Sequence, residues 1–212
     1  MLSFRELQKA KWDKEYSQKG SLWHGPAHLD FELPEKARVL ELGCGNGKTL
    51  SALLNSKCKI TAIDSSKKAV ELCRKMAELS GRRDAEILVA DACELPFPDS
   101  SFDLVLAFHI LEHLLEEDRA KAVSEIRRVL LPGGSVLVRV FSTGDMRFGK
   151  GKEIEKNTFM RGNKLAYHYF SEAELGELFS VFKKKESQLL SREVHYERKL
   201  FKRERILAVY EK

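Results

Sequence analysis

From residue 38 onward, short runs of β-branched and apolar residues alternate with segments in which apolar positions recur every three or four residues. The runs predict strands over 38–42, 59–63, 86–90, 102–108 and 135–141. The intervening segments predict amphipathic helices over 48–55, 66–80 and 116–131. This βαβαβ order followed by a further βαβ unit predicts an α/β fold with a parallel sheet and crossover helices. Pro132-Gly133-Gly134 is expected to end the third helix and turn the chain into the next strand.

Beyond that strand the pattern breaks. Residues 142–169 hold four glycines and no clear period, which predicts a lid or binding loop. A helix over 171–182 begins with the capping pattern Ser171-Glu-Ala-Glu174, and strands over 184–190 and 204–210 close the chain. In front of the sheet, Phe4, Leu7, Trp12 and Tyr16 predict one face of a helix, expected to pack over a sheet edge. Turn-rich "GSLWHGP" follows it, with Trp23 and His24. The expected organisation is one domain, 1–212: an N-terminal lid or cap over 1–37, a binding core over 38–141, a substrate-side insert over 142–170 and a closing helix and strands over 171–212.

Composition agrees with a single core, since 212 residues at 43% hydrophobic content suffice for one and not comfortably for two. The charged opening MLSFRELQKAKWDKEY has no apolar run of a secretory signal, and no stretch reaches the ~18–20 apolar residues of a membrane span. A cytoplasmic protein with no membrane partner is expected. Cysteines 44, 58, 73 and 93 form no C-x-x-C pair, which suggests neither a disulfide framework nor a zinc knuckle. The net charge of +5 equals the excess within residues 183–212, where ten Lys/Arg face five Asp/Glu. Solvated lysines on a terminal strand give the same count as a nucleic-acid surface and are the preferred reading of it.

"ELGCGNGKT", residues 41–49, admits three readings. A triphosphate loop ending in Gly47-Lys48-Thr49 needs a glycine at position 42, which is Leu. A dinucleotide turn needs a third glycine at position 48, which is Lys. The third reading rests on carboxylates: Glu41 precedes the glycines, Asp64 ends the second strand and Asp91 follows the third. All three lie at the carboxyl ends of strands, where such sheets bind ligands.

At these residues the chain resembles the class I S-adenosylmethionine-dependent methyltransferases, of the type 11 methyltransferase-domain kind. The match runs through "VLELGCGNGKTL", "ITAIDSS", "VADACELPFPDSSFDLVLAFHILEHL" and "EIRRVLLPGGSVLV", over about residues 38–141. The resemblance implies a doubly wound, Rossmann-like, mostly parallel seven-stranded sheet with helices on both faces and the last strand antiparallel. It implies S-adenosyl-L-methionine as cofactor and S-adenosyl-L-homocysteine as product. Glu41, Gly43, Gly45 and Gly47 are then expected on the methionine and ribose side, Asp64 and Ser65 at the ribose, and Asp91 and Ala92 at the adenine, with Phe108 also on the cofactor side.

His109-Ile-Leu-Glu112-His113 matches an H-x-x-E-H zinc pattern, but it follows a strand directly and lies inside the methyltransferase-like stretch, so no metal is expected. His109 is a candidate base or a histidine bonded to the backbone, and no catalytic residue is assigned; His113 is expected to be structural. The segments that would choose the acceptor are the front piece and the insert, with Trp23, His24, His109, Tyr167 and His168 as substrate candidates. A small-molecule acceptor is the first expectation. RNA is the second, from the basic insert and C-terminal region, and a non-catalytic cofactor-binding scaffold is the third.

Overall fold

A computed structural model of the chain describes residues 3–19, 29, 31–196 and 199–212. Its main sheet has seven strands: β1 Arg38–Leu42, β2 Lys59–Asp64, β3 Glu86–Val89, β4 Phe102–Phe108, β5 Leu130–Phe141, and the closing hairpin β9 Lys183–Tyr196 and β10 Lys199–Glu211. They lie in the order β3-β2-β1-β4-β5-β10-β9. β1 to β5 are mutually parallel, and β10 runs antiparallel to both β5 and β9. The direction of winding reverses between β1 and β4, which opens a crevice above their carboxyl ends.

Helices cover both faces. α2 Lys48–Leu53 and α3 Lys67–Leu79 bury Leu50, Leu53, Val70 and Cys73 against Val39, Leu104 and Leu106. α4 Glu116–Val129 and α5 Glu172–Leu178 bury Val123, Ile126 and Leu175 against Val105, Val138 and Ile206 on the other side. Each helix presents the apolar stripe its three- and four-residue spacing predicts.

Several boundaries differ from expectation. α4 ends at Val129 and the chain enters β5 at once, so Pro132-Gly133-Gly134 lies within the strand. There the Gly133 N–H donates to the Lys212 carbonyl at 3.1 Å and the Lys212 N–H to that of Gly134 at 2.9 Å, so chain-end pairing replaces a free turn. α5 is cut to Leu178, although Ser171 caps it by accepting the Glu174 N–H at 3.1 Å. The closing strands are longer than their hydrophobic alternation, because each satisfies the other's backbone along a polar ribbon.

The insert is not an irregular loop. It folds into a small antiparallel sheet of β6 Lys152–Glu155, β7 Thr158–Met160 and β8 Ala166–His168. Its ends are joined where the Phe170 N–H donates to Phe141 O at 2.8 Å and the Thr143 N–H to Phe170 O at 3.0 Å. The front helix, α1 Phe4–Lys19, lies across the carboxyl rim of the sheet, not over its edge. Its inward row is Phe4, Gln8, Trp12 and Tyr16, each about one turn from the next, while Leu7 is exposed.

Candidate active site

β1 delivers Glu41 to the crevice, and the glycine turn then carries the chain into α2. The Cys44 N–H donates to Ile63 O at 2.9 Å, tying the turn to β2. Gly45 holds φ at +54°, and a Cβ there would lie 2.7 Å from the Tyr16 hydroxyl oxygen of α1. The position therefore needs glycine both for conformation and for the close approach of α1.

Asp64, buried at the end of β2, accepts the Gly45 N–H on Oδ2 at 2.9 Å and the Ser66 N–H on Oδ1 at 2.8 Å. Burial raises its pKa above the ordinary carboxylate range even though both bonds favour the charged form. Each carboxylate oxygen keeps a second acceptor direction. Glu41 is also buried, and its Oε2 has no hydrogen-bond partner among the described residues. Burial, reinforced by the nearby Asp64, pushes its pKa up to about 8. An orphaned buried acceptor of this kind is costly unless a donor arrives.

Asp91, two residues past β3, accepts the Cys93 N–H at 2.9 Å and pairs with Lys9 at 2.5 Å and Arg5 at 3.5 Å from α1. Burial alone would raise its pKa, but these partners hold it below the ordinary value. Asp13 of α1 accepts from the Ser66 hydroxyl at 2.7 Å and the Lys68 N–H at 3.0 Å, and Gln8 bonds Lys164 O and the Ala166 N–H of the insert. α1 thus bridges the sheet rim and the insert, roofing a cavity of about 330 Å³. Glu41, Gly43, Gly45, Asp64, Ser65, Asp91, Ala92 and Phe108 line the cavity, whereas Gly47 is not among its walls.

At the far end of the cavity His109 has a positive φ of 58°, a strained conformation for a residue other than glycine. Its Nδ1 lies 2.6 Å from Oε1 of the wholly buried Glu112, and among the described residues Nε2 has no hydrogen-bond partner. His113 is turned elsewhere: Nδ1 lies 3.0 Å from Ala166 O, and Trp12 and Tyr167 pack edge-on against the ring. Burial lowers its pKa, keeping it neutral.

Tyr167 reaches the cavity, with the Arg161 guanidinium 4.6 Å from its ring centre. His168 does not. It is fully buried behind the insert, its Nδ1 2.8 Å from Thr158 Oγ1 and its Nε2 2.7 Å from Glu174, because strand alternation turns neighbours to opposite faces. Trp23 and His24 lie outside the described residues.

Five arginines line the acceptor end: Arg147 from the basic insert, Arg192, Arg203 and Arg205 from the basic C-terminal region, and Arg139, which was not singled out from sequence. The Arg147 guanidinium lies 4.5 Å over the Phe141 ring and that of Arg139 4.5 Å over Phe108. The alternate spacing of Arg203 and Arg205 on a strand was a usable signal, but Arg139 and Arg192 join them only through sheet pairing.

A family model described as a methyltransferase domain matches residues 40–138. The tRNA N(3)-cytidine methyltransferase METTL2 of Mus musculus is 31% identical over 155 residues, covering 68% of this chain and 40% of the relative. The chain thus spans less than half the length of that relative. Among solved structures, a SAM-dependent methyltransferase from Methanosarcina mazei superposes with a TM-score of 0.72 at 24% identity, covering 87% of this chain and 99% of the other. The 1,6-didemethyltoxoflavin-N1-methyltransferase of Burkholderia thailandensis, solved with 1,6-didemethyltoxoflavin and S-adenosylhomocysteine, superposes with a TM-score of 0.75 at 20% identity, covering all of this chain and 91% of the other.

Proposed function

Because the chain belongs to the class I S-adenosylmethionine-dependent methyltransferases, we propose that it transfers a methyl group from S-adenosylmethionine to a base of RNA. The carrying observation is the reversal of charge along one cavity: carboxylates at the ends of β1, β2 and β3, arginines at the ends of β5 and the hairpin. This reverses the first expectation of a small acceptor. The similarity to tRNA cytidine methyltransferases points the same way.

The residues present fit the cofactor. The orphaned Glu41 Oε2 suits a cationic amino group, and the free acceptor directions of Asp64 suit a pair of ribose hydroxyls. Asp91 offers an acceptor for an exocyclic amine, with the Ala92 backbone beside it. When bound, S-adenosylmethionine supplies an electrophilic methyl on a sulfonium, whose departure as a neutral thioether needs no acid.

What remains for the protein is alignment and charge. The Phe108 and Phe141 rings and Tyr167 border the space for a flat base, and α1 together with the insert shields it from water. His109, whose Nδ1 lies 2.6 Å from Glu112 Oε1, would be the group to take a proton where the acceptor atom must lose one.

Calorimetry with S-adenosylhomocysteine, followed by binding of a short single-stranded RNA at increasing salt, tests this reading. Binding of S-adenosylhomocysteine that is lost in Asp64→Ala, RNA affinity that falls steeply with salt, and methyl incorporation into RNA are expected. Cofactor binding without RNA retention at low salt would overturn the acceptor, and absence of any methyl transfer would leave a cofactor-binding scaffold.

A further inference from the structure

Sheet register collects the acceptor-end arginines on one face. Arg139 pairs opposite Leu207 and Phe141 opposite Arg205, while Arg203 stands directly across from Arg192. Since side chains alternate, Arg139, Arg192, Arg203 and Arg205 all project from the same side of the β5-β10-β9 edge of the sheet. Like charges directly opposite in an antiparallel pair are destabilising. Here the pair is set beside Arg205, itself half-buried.

The carboxylate that pairs with Arg147 and Arg203 is already shared. Asp145 is shared between Arg147 at 3.1 Å and Arg203 at 2.7 Å, and it also accepts the Glu204 N–H. Glu112 is engaged by His109. Two guanidinium groups, those of Arg147 and Arg203, thus share the single charge of Asp145. Among the described residues neither Arg192 nor Arg205 has an ion-pair partner. Burial lowers the pKa of Arg205, and the neighbouring charges of Arg192, Arg139 and Arg147 lower it further.

We propose that Arg192 and Arg205, flanked by Arg139 and Arg203, form a phosphate-binding site that seats the phosphate of the acceptor nucleotide while its base lies between this cluster and the cofactor. The site rests on the reading of the acceptor as RNA, and it assigns the backbone contact of that acceptor to the hairpin. Guanidinium forks match phosphate oxygens in pairs, and charge-assisted bonds of this kind are stronger than neutral ones. An arriving phosphate would also relieve the repulsion between Arg192 and Arg203. Phe108 and Phe141, covered by the guanidinium groups of Arg139 and Arg147, line the cavity on the strands between the hairpin and the glycine turn, and a base attached to that phosphate would lie alongside them.

The test compares cytidine with cytidine 5′-monophosphate, and both with a short single-stranded RNA, on protein saturated with S-adenosylhomocysteine. Wild type, the exposed single variant Arg192→Gln and the double variant Arg192→Gln/Arg205→Gln are titrated across salt concentrations. The monophosphate is expected to bind about tenfold more tightly than the nucleoside. That advantage should shrink in the single variant and vanish in the double, while affinity for S-adenosylhomocysteine is unchanged. The slope of log affinity for RNA against log salt should fall by about 0.7 for the phosphate lost.

If monophosphate and nucleoside bind equally to wild type, or if Arg192→Gln alters neither the preference nor the slope, the site is overturned even where RNA still binds. If the monophosphate is preferred and RNA is not retained, the phosphate site stands and the acceptor is a small phosphorylated molecule. Should the double variant fail to bind S-adenosylhomocysteine, the single variant at the solvent-exposed position decides the question alone.

Discussion

The Gly45 N–H donates to Asp64 Oδ2 over 2.9 Å, joining the glycine turn to the end of the neighbouring strand and aiming the carboxylate into the cavity. Loss of that carboxylate in Asp64→Ala removes both the bond and the acceptor for a ribose. S-adenosylhomocysteine affinity should drop about a hundredfold by calorimetry. Gly45→Ala should destabilise the protein by about 1–2 kcal/mol, read as a fall of roughly 2–8 °C in Tm, since its backbone is left-handed and its Cβ would meet Tyr16.

Glu41 makes stability depend on pH. Its carboxyl titrates near 8 in the folded protein against 4.5 ordinarily, so the folded state binds the extra proton between those values. This contribution is complete below pH 4.5 and is lost as pH rises through 8, at up to roughly 1.4 kcal/mol per pH unit within the window. Melting curves at pH 5, 6.5 and 8 should show that decline in wild type and lack it in Glu41→Gln. The same variant should bind S-adenosylhomocysteine more weakly.

His109 and Glu112 should separate binding from turnover. His109→Ala is expected to lower kcat by about 10–100-fold with cofactor affinity within twofold, and Glu112→Gln should lower kcat in the same direction by a smaller factor. An unchanged kcat in His109→Ala would assign the pair to holding the strained turn at the end of β4.

His168 should behave as a core residue. Replacement by Ala leaves Thr158 and Glu174 without their buried partner, with an expected loss of about 2–4 kcal/mol in denaturant unfolding. KM for the acceptor should not move.

Periodicity and turn chemistry, both local properties, determined much of this protein directly from sequence. The β1–β5 alternation, the glycine turn, and the acids at 41, 64 and 91 are readable because each depends on neighbours a few residues away. The ends of the closing hairpin, the sheet inside the insert and the placement of α1 over the rim depend on partners far along the chain. Tyr167 and His168 look alike in sequence, and only the packing of β8 sends one to the cavity and the other to the core. Arg139, Arg192 and Arg205 become one positive face solely through strand pairing, since register is set by long-range backbone hydrogen bonds that no local pattern encodes.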